Sequence, residues 1–128
     1  MSSYEERIVT ILKDYQIPFW REKRFSDLKK GKYRFDFYVP EKNCCIEVHG
    51  EQHWHQIKHF HKTRMGFLAQ KERDRQKISY CLSHNIKLYI IPYWEIELLQ
   101  RPADIFNDKF LARTKWHCDM IPENLTSR

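Results

Sequence analysis

The 128-residue sequence predicts one α/β domain, in the order helix, strand, β-hairpin, helix and strand. Two strand-like segments with period-2 alternation lie between residues 33 and 53, and hydrophobic stripes with helical spacing lie on both sides of them. With 41% hydrophobic residues, the chain is long enough for one core and too short for two. We expect a single domain with a core at about 3–95, a helical extension at about 96–113 and a tail at 114–128.

The first helix is predicted from about Ser3 to Gln16. Ser2 and Ser3 each precede an acid by three residues, the spacing of a capping box. The stripe consists of Tyr4, Ile8, Ile11, Leu12 and Tyr15. Glu5 lies beside this stripe by helical phase, which makes it a candidate site acid. A first-turn glutamate that favours the helix dipole is an equally good interpretation.

A short strand at 19–25 and a polar turn at 26–32 precede the hairpin, whose own turn falls at 40–43. Both hairpin strands alternate between hydrophobic and polar residues, so one face is predicted to join the core and the other to be polar. The residues predicted for the core face are Phe35, Phe37, Val39, Ile46 and Val48.

The polar face of the hairpin carries two acids and a histidine. A register centred between residues 41 and 42 places Asp36 opposite Glu47, and His49 shares the phase of Glu47. Because like charges at this distance repel unless a cation lies between them, the pair predicts a metal site, with two solvated acids as the alternative. Mg²⁺ prefers oxygen ligands, which selects Asp36, Glu47 and the backbone carbonyl of Val48.

Residues 51–66 show no clean period and are predicted to form a loop over the acidic face. The loop contains His53, His55, His59 and His61. These histidines invite a zinc interpretation, but the sequence lacks the closely spaced cysteine pairs typical of structural zinc sites, so zinc is the lesser alternative. An imidazole titrates near neutral pH, which makes His53 and His49 candidate acids, bases or phosphate ligands. A structural histidine that fills space is an equally good interpretation of His49.

A second helix is predicted from about Phe67 to His84, with charged residues in core phase. Its stripe consists of Phe67, Lys71, Asp74, Ile78, Cys81 and Leu82. A buried carboxylate needs a partner, so Asp74 either forms a salt bridge or faces a wet cleft and orients His53. Lys71 or Lys77 is a candidate to supply positive charge there, with ordinary solvated lysines as the alternative.

The remaining chain is predicted to be a buried strand at 87–92, after Asn85 ends the helix, and two amphipathic helical segments at 94–100 and 103–112. Pro102 separates the two segments, and residues from Thr114 onwards carry no structural signal.

The formal charge of +6 favours a polyanionic partner. The cations near the predicted site are Lys58, Lys62, Arg64, Lys71 and Arg75. Four cysteines without an even-spaced framework predict a reduced, cytoplasmic protein. The sequence shows neither the features of a secretory signal nor an apolar run long enough for a membrane span, so no membrane association is expected.

Six segments appear in an order that resembles a known family. They are FDFYVP at 35–40, IEVHGEQH at 46–53, RDRQK at 73–77, YC at 80–81, NIKL at 85–88 and IPYW at 91–94. Together they resemble the PD-(D/E)xK nuclease superfamily. Within it they are similar to phage and mobile-element domains related to very-short-patch-repair endonucleases and to homing endonucleases with an E-D-x-H-D signature. The resemblance covers residues 5–95.

The resemblance implies a restriction-endonuclease-like fold, in which a central mixed β-sheet with a catalytic hairpin is flanked by helices. It also implies DNA cleavage with Mg²⁺ or Mn²⁺. It assigns Asp36 and Glu47 as the two motif acids, and it matches Glu5, His53 and Asp74 to the Glu, His and final Asp of the signature.

The chain departs from its relatives at position 49, where the superfamily has Lys, the close phage relatives usually have Asp and the repair endonucleases have His. The general base therefore stays open between His49, His53 and a lysine.

The predicted function is that of a DNA endonuclease of a bacterial or phage-infected cell, which nicks DNA or, as a homodimer, cuts both strands. Lys71, Arg75 and Lys77 are its candidate DNA-binding residues. Homing, repair and defence all remain open as its role. The alternatives are a decayed nuclease fold that binds nucleic acid or regulates, and a zinc-stabilised binding module.

Overall fold

The computed structural model describes residues 3–54 and 63–119 of the chain. It contains helix α1 (Ser3–Asp14), strands β1 (Trp20–Arg24), β2 (Arg34–Val39) and β3 (Cys44–His49), helix α2 (Arg64–Ser83), strand β4 (Lys87–Pro92) and a short helix α3 (Pro102–Ile105). The strands form one open sheet in the order β1-β2-β3-β4. β2 is antiparallel to both β1 and β3, whereas β4 runs parallel to β3. The predicted α/β class is confirmed.

Hydrophobic clusters cover both faces of the sheet. On one face, α1 and the segments after β4 pack against Phe37, Ile46 and Ile91. On the other face, α2 packs Ile78 and Cys81 against the sheet. The sequence predicted that this second face would be polar, but it also carries an apolar cluster beneath α2. Because α2 is the crossover between two parallel strands, it covers that side and buries the polar residues of β3.

Phe35 and Phe37 do not share one face of β2, so the alternation predicted for this strand was wrong at Phe35. Phe35 packs in the cluster beneath α2, with its ring 5.7 Å from that of Phe25, whereas Phe37 packs beneath α1. The alternation breaks at Asp36. Glu22, the neighbouring residue of β1, has a φ of 52°, and the paired residues of β2 and β3 begin only after Asp36, at Phe37. This break separates the paired part of the hairpin from its acidic end.

The helices agree with the predicted stripes except near their ends. Ile8, Ile11 and Leu12 are buried, but Tyr4 and Tyr15 are 38% and 54% exposed because they lie at or beyond the ends of α1. Helix α2 begins three residues before the predicted Phe67, since the Thr63 side chain accepts a hydrogen bond from the Gly66 N–H at 3.1 Å. Residues 64–66 were therefore wrongly assigned to the preceding loop.

Helix α2 ends as predicted, with Asn85 at a φ of 57°. Leu82, predicted in the stripe, is 43% exposed.

The chain after β4 is less helical than predicted. Residues Tyr93–Leu98 form a 3₁₀ turn, and the expected helix at 103–112 is reduced to α3 and a second 3₁₀ turn, Asp108–Phe110. The Asn107 side chain accepts from the Lys109 N–H at 3.0 Å, which starts that second turn and interrupts the helix. Residues His117–Asp119 form a further turn that contacts α2. No described helix is long and apolar enough to span a membrane.

Candidate active site

An open cleft of about 640 Å³ lies between the acidic end of the hairpin and α2. Its lining combines α1, the hairpin, the turn Glu51–His53 and α2. Among the lining residues are Glu5, Asp36, Glu47, Val48, His53 and Lys77. All six are candidates of the sequence analysis, so the fold brings together residues up to 72 positions apart in the chain.

Asp36 and Glu47 lie next to each other at the point where the hairpin strands separate. The observed register pairs Phe37 with Ile46, which is the register predicted from the sequence. Beyond this pair, the Asp36 N–H donates to Glu47 Oε2 at 3.3 Å, and the Val48 N–H donates to Asp36 Oδ2 at 2.8 Å. Each carboxylate thus takes a backbone donor from the opposite strand, which holds both acids against the cleft.

The pKa values of the two acids are shifted in opposite directions. Burial and the charge of Glu47 raise the pKa of Asp36 to about 7. Burial would also raise the pKa of Glu47, but the Lys77 ammonium and His49 outweigh it and lower that pKa to about 2. Lys77 Nζ lies 3.1 Å from Glu47 Oε1. Of the two lysines considered from the sequence, Lys77 is therefore the one that brings positive charge to the acids.

His53 and Asp74 form a dyad at the wall of the cleft. His53 Nδ1 lies 3.0 and 3.1 Å from the two Asp74 oxygens, and Gln70 Nε2 donates to Asp74 Oδ1 at 3.3 Å. Asp74 is buried, and although burial alone would raise its pKa, His49 and His53 lower it. The carboxylate therefore accepts the Nδ1 proton of His53, and Nε2 is the nitrogen left for the cleft. The contact expected between Asp74 and His53 is therefore present in the structure.

His49 occupies a different environment from the one predicted. Its side chain is 1% exposed and stacks on His53, with ring centroids 3.8 Å apart and an interplanar angle of 12°. Its Nε2 is 3.5 Å from Glu47 Oε1, and its Nδ1 is 3.7 Å from Cys118 Sγ. Because α2 and the C-terminal turn cover it, His49 lies behind His53 instead of reaching toward the cleft. The expectation that it extends to a bound phosphate was wrong.

Glu5 lines the cleft at the side opposite α2. Its Oε1 lies 3.0 Å from Arg21 Nη2, and its charge contributes to the raised pKa of Asp36. Glu5, which the resemblance matched to the Glu of the signature, therefore lies in the same cleft as the other acids.

Lys71 and Arg75, which were predicted to bind DNA near the site, do not line the cleft. The buried Lys71 ammonium donates to the Cys118 carbonyl and lies 5.2 Å from the Trp54 ring centroid. Arg75 forms two hydrogen bonds with Asp119, at 2.9 and 3.0 Å. Both side chains are held by the C-terminal turn, whose role the sequence did not reveal. Neither is among the residues that line the cleft.

Several site residues were not found from the sequence, and others lie outside the described chain. Gln70 and Arg73 line the cleft, and Arg73 Nη2 donates to Gln70 Oε1 at 3.0 Å. Their spacing to Asp74 and Lys77 on one helix was the available signal. Residues 55–62 of the predicted loop lie outside the described residues. They include His55, Lys58, His59, His61 and Lys62.

Comparison with known proteins gives a similarity to part of a viral protein. No family model matches the chain. "Uncharacterized protein 307L" of Invertebrate iridescent virus 6 is 36% identical to it over 67 residues, which is 51% of this chain and 34% of the viral protein. The aligned region thus spans about a third of that relative, and the relative's name states no activity.

Proposed function

We propose that this protein is a metal-dependent DNA endonuclease with a PD-(D/E)xK-type site on a restriction-endonuclease-like fold. The observation that carries the proposal is the arrangement of Asp36, Glu47 and Lys77, in which two carboxylates and one ammonium from three elements line a single cleft. Phosphodiester hydrolysis requires such a combination, because negative charge grows on the phosphate while a water molecule is deprotonated.

The residues of the cleft fit a hard divalent cation. Asp36 and Glu47 offer oxygen ligands, and their mutual repulsion and burial raise the pKa of Asp36, which a cation between them would reverse. Asp36, Glu47 and the Val48 carbonyl would hold Mg²⁺ or Mn²⁺. When bound, such an ion supplies charge stabilisation at the nonbridging oxygens and a more acidic water.

The other residues have separate roles in this proposal. Lys77 keeps Glu47 ionised and adds positive charge beside the scissile phosphate. His53 accepts a proton at Nε2, while Asp74 holds its Nδ1 proton and its ring orientation. Glu5 completes the acidic wall of the cleft. The net charge of +6 supports binding to DNA.

One such site cuts one strand per visit, so nicked circles precede linear DNA unless two chains act together. The proposal is tested with supercoiled plasmid in Mg²⁺, Mn²⁺ or EDTA. We expect nicking in either metal and none in EDTA, and we expect Asp36→Asn and Glu47→Gln to lose it while remaining folded. Glu72→Gln, an exposed acid of α2 outside the cleft, is the matched control and should retain activity.

Equal cleavage by wild type and Asp36→Asn would contradict the proposed metal site. DNA binding by the wild type without cleavage in any metal would favour the alternative of a decayed nuclease that binds DNA.

A further inference from the structure

Behind the cleft, three potential metal ligands of different kinds meet in the interior. His49 comes from β3, Asp74 from α2 and Cys118 from the turn His117–Asp119. Their side chains are between 0% and 2% exposed, and their ligand atoms all lie within 4.8 Å of one another. His49 Nδ1 and Cys118 Sγ are separated by 3.7 Å. These residues form a nitrogen, oxygen and sulfur donor set that the proposed nuclease reaction does not use as ligands.

We propose that His49, Asp74 and Cys118 supply three of the four ligands of a tetrahedral Zn²⁺ ion, with a water molecule as the fourth. Zinc bonds of about 2.3 Å to sulfur and about 2.0 Å to nitrogen, at a tetrahedral angle, would separate the two ligand atoms by about 3.6 Å. The observed 3.7 Å matches this separation. Thiolate and imidazole are also ligands that zinc prefers and Mg²⁺ does not, so the site differs in metal type from the carboxylate pair in the cleft.

Glu47 lies where the hydrogen-bond partner of a metal-bound His49 would lie. His49 Nε2 is buried and forms no hydrogen bond within the described residues, although Glu47 Oε1 lies 3.5 Å away. Zinc at Nδ1 would fix the proton on Nε2 and direct it at this carboxylate, the usual carboxylate–histidine–zinc arrangement. Asp74 has two oxygens, so one can bind the ion while the other keeps the His53 proton.

With zinc bound, the negative groups near the cluster would offset the positive charges to within one unit. Glu47, Asp74 and a Cys118 thiolate carry three negative charges, and Lys71 and Lys77 carry two positive charges. Zinc binding releases the thiol proton of Cys118 and any proton on His49 Nδ1 to solvent, which leaves His49 as a neutral ligand. Lys71 on the Cys118 carbonyl and Arg75 on Asp119 hold the turn against α2, so the thiol is presented by a fixed segment.

This site is tested by the metal content and spectrum of the full chain. Protein purified from zinc-supplemented medium should contain about one zinc per chain after dialysis, the number expected for a single tetrahedral site. Replacement by Co²⁺ should give thiolate-to-cobalt charge-transfer absorption. Cys118→Ser should lose both signals, whereas Cys81→Ser, a buried thiol outside the three-residue ligand set, should keep both. Removal of zinc should lower the midpoint of thermal unfolding in the wild type and not in Cys118→Ser.

The Asp36→Asn variant separates this site from the nuclease proposal, because it should keep its zinc while losing cleavage. Zinc retained in Cys118→Ser, or a cobalt spectrum without thiolate absorption, would overturn the proposal and point to the histidines of the predicted loop. Metal-free wild-type protein that takes up no zinc would also overturn it and leave His49 as a buried imidazolium between Asp74 and Glu47.

Discussion

Two segments of α2 face the same sheet but bury opposite kinds of side chain. The site segment, residues 64–77, buries Lys71 and Asp74, whereas the core segment, residues 78–83, buries Ile78, Tyr80 and Cys81. Full burial of an aliphatic side chain such as Ile78 stabilises the fold by about 1.5–3 kcal/mol. A buried charge costs free energy unless it is paired. The site segment therefore needs partners that the core segment does not.

Three charged side chains of the site segment find their partners in different parts of the chain. Lys71 binds the C-terminal turn, Asp74 binds the turn after β3, and Lys77 binds β3 itself. The core segment instead packs hydrocarbon against β3 and β4. This difference indicates that polar pairing in the first segment positions the site, while apolar burial in the second stabilises the helix on the sheet.

The largest expected effect is on catalysis, and it follows from replacing His53, the partner of Asp74 in the site segment. In His53→Ala we expect the turnover rate to fall by about 10²–10⁴, because the proton acceptor is lost. Single-turnover cleavage of a plasmid measures the loss. Imidazole added to the buffer should restore part of the rate in His53→Ala and none in Asp36→Asn. Wild-type turnover in His53→Ala would remove His53 from the mechanism.

A substitution in the core segment is expected to lower stability and to leave catalysis unchanged. Ile78→Ala should lower the free energy of unfolding by about 2–5 kcal/mol, because it removes buried hydrocarbon and leaves a cavity. Ile78 is 1% exposed, so water cannot fill the space freely. Urea unfolding measures the loss, and cleavage per folded molecule should be unchanged. Leu82→Ala, 43% exposed on the same segment, is the control and should change stability far less.

The contrast between the two segments was partly visible in the sequence. Helical phase placed Lys71 and Asp74 with Ile78 on one face, and strand phase fixed the register that opposes Asp36 and Glu47. Both predictions use local periodicity, which the backbone imposes directly.

The predictions that failed depend on contacts between distant segments. His49 has the same strand phase as Glu47. Its solvent exposure, however, is determined by α2 and by Cys118, which lies 69 residues away in the sequence. Lys71 and Arg75 looked like free cations because their partners lie in a segment without hydrophobic periodicity. Local spacing contains no information on which remote carbonyl or carboxylate will be adjacent in the fold.

A smaller effect distinguishes two arginines of the site segment. Arg73 lines the cleft, whereas Arg75 is paired with Asp119. If DNA lies in the cleft, Arg73→Gln should reduce the slope of log affinity against log salt by about 1, because one phosphate contact is lost. Arg75→Gln removes the same charge from the same helix and should leave the slope unchanged. Fluorescence anisotropy with labelled DNA at several salt concentrations measures both, and equal slopes in the two variants would contradict the assignment of the cleft.

The smallest effect concerns an exposed polar contact of the core segment. Asp27 Oδ1 accepts a hydrogen bond from the Tyr80 hydroxyl at 2.7 Å, and its Oδ2 lies 3.2 Å from His84 Nε2. The Tyr80 hydrogen bond is the main cause that lowers the pKa of Asp27 below its ordinary value. A lowered folded-state pKa means that the contact stabilises the fold above the unfolded carboxyl pKa of about 3.9 and ceases to do so as the pH falls through the folded value.

Tyr80→Phe removes the hydroxyl donor and should therefore lose part of this pH dependence. The test compares the urea midpoint at about pH 7 and about pH 3, on either side of an ordinary carboxyl pKa, in wild type and Tyr80→Phe. The wild type should lose slightly more stability on acidification than the variant, and Asp27→Asn should behave like the variant. The difference should be small because water screens a carboxylate that is 62% exposed. If wild type and Asp27→Asn respond identically to acid, the Tyr80–Asp27 contact makes no contribution to stability, and the core segment is held by its apolar contacts alone.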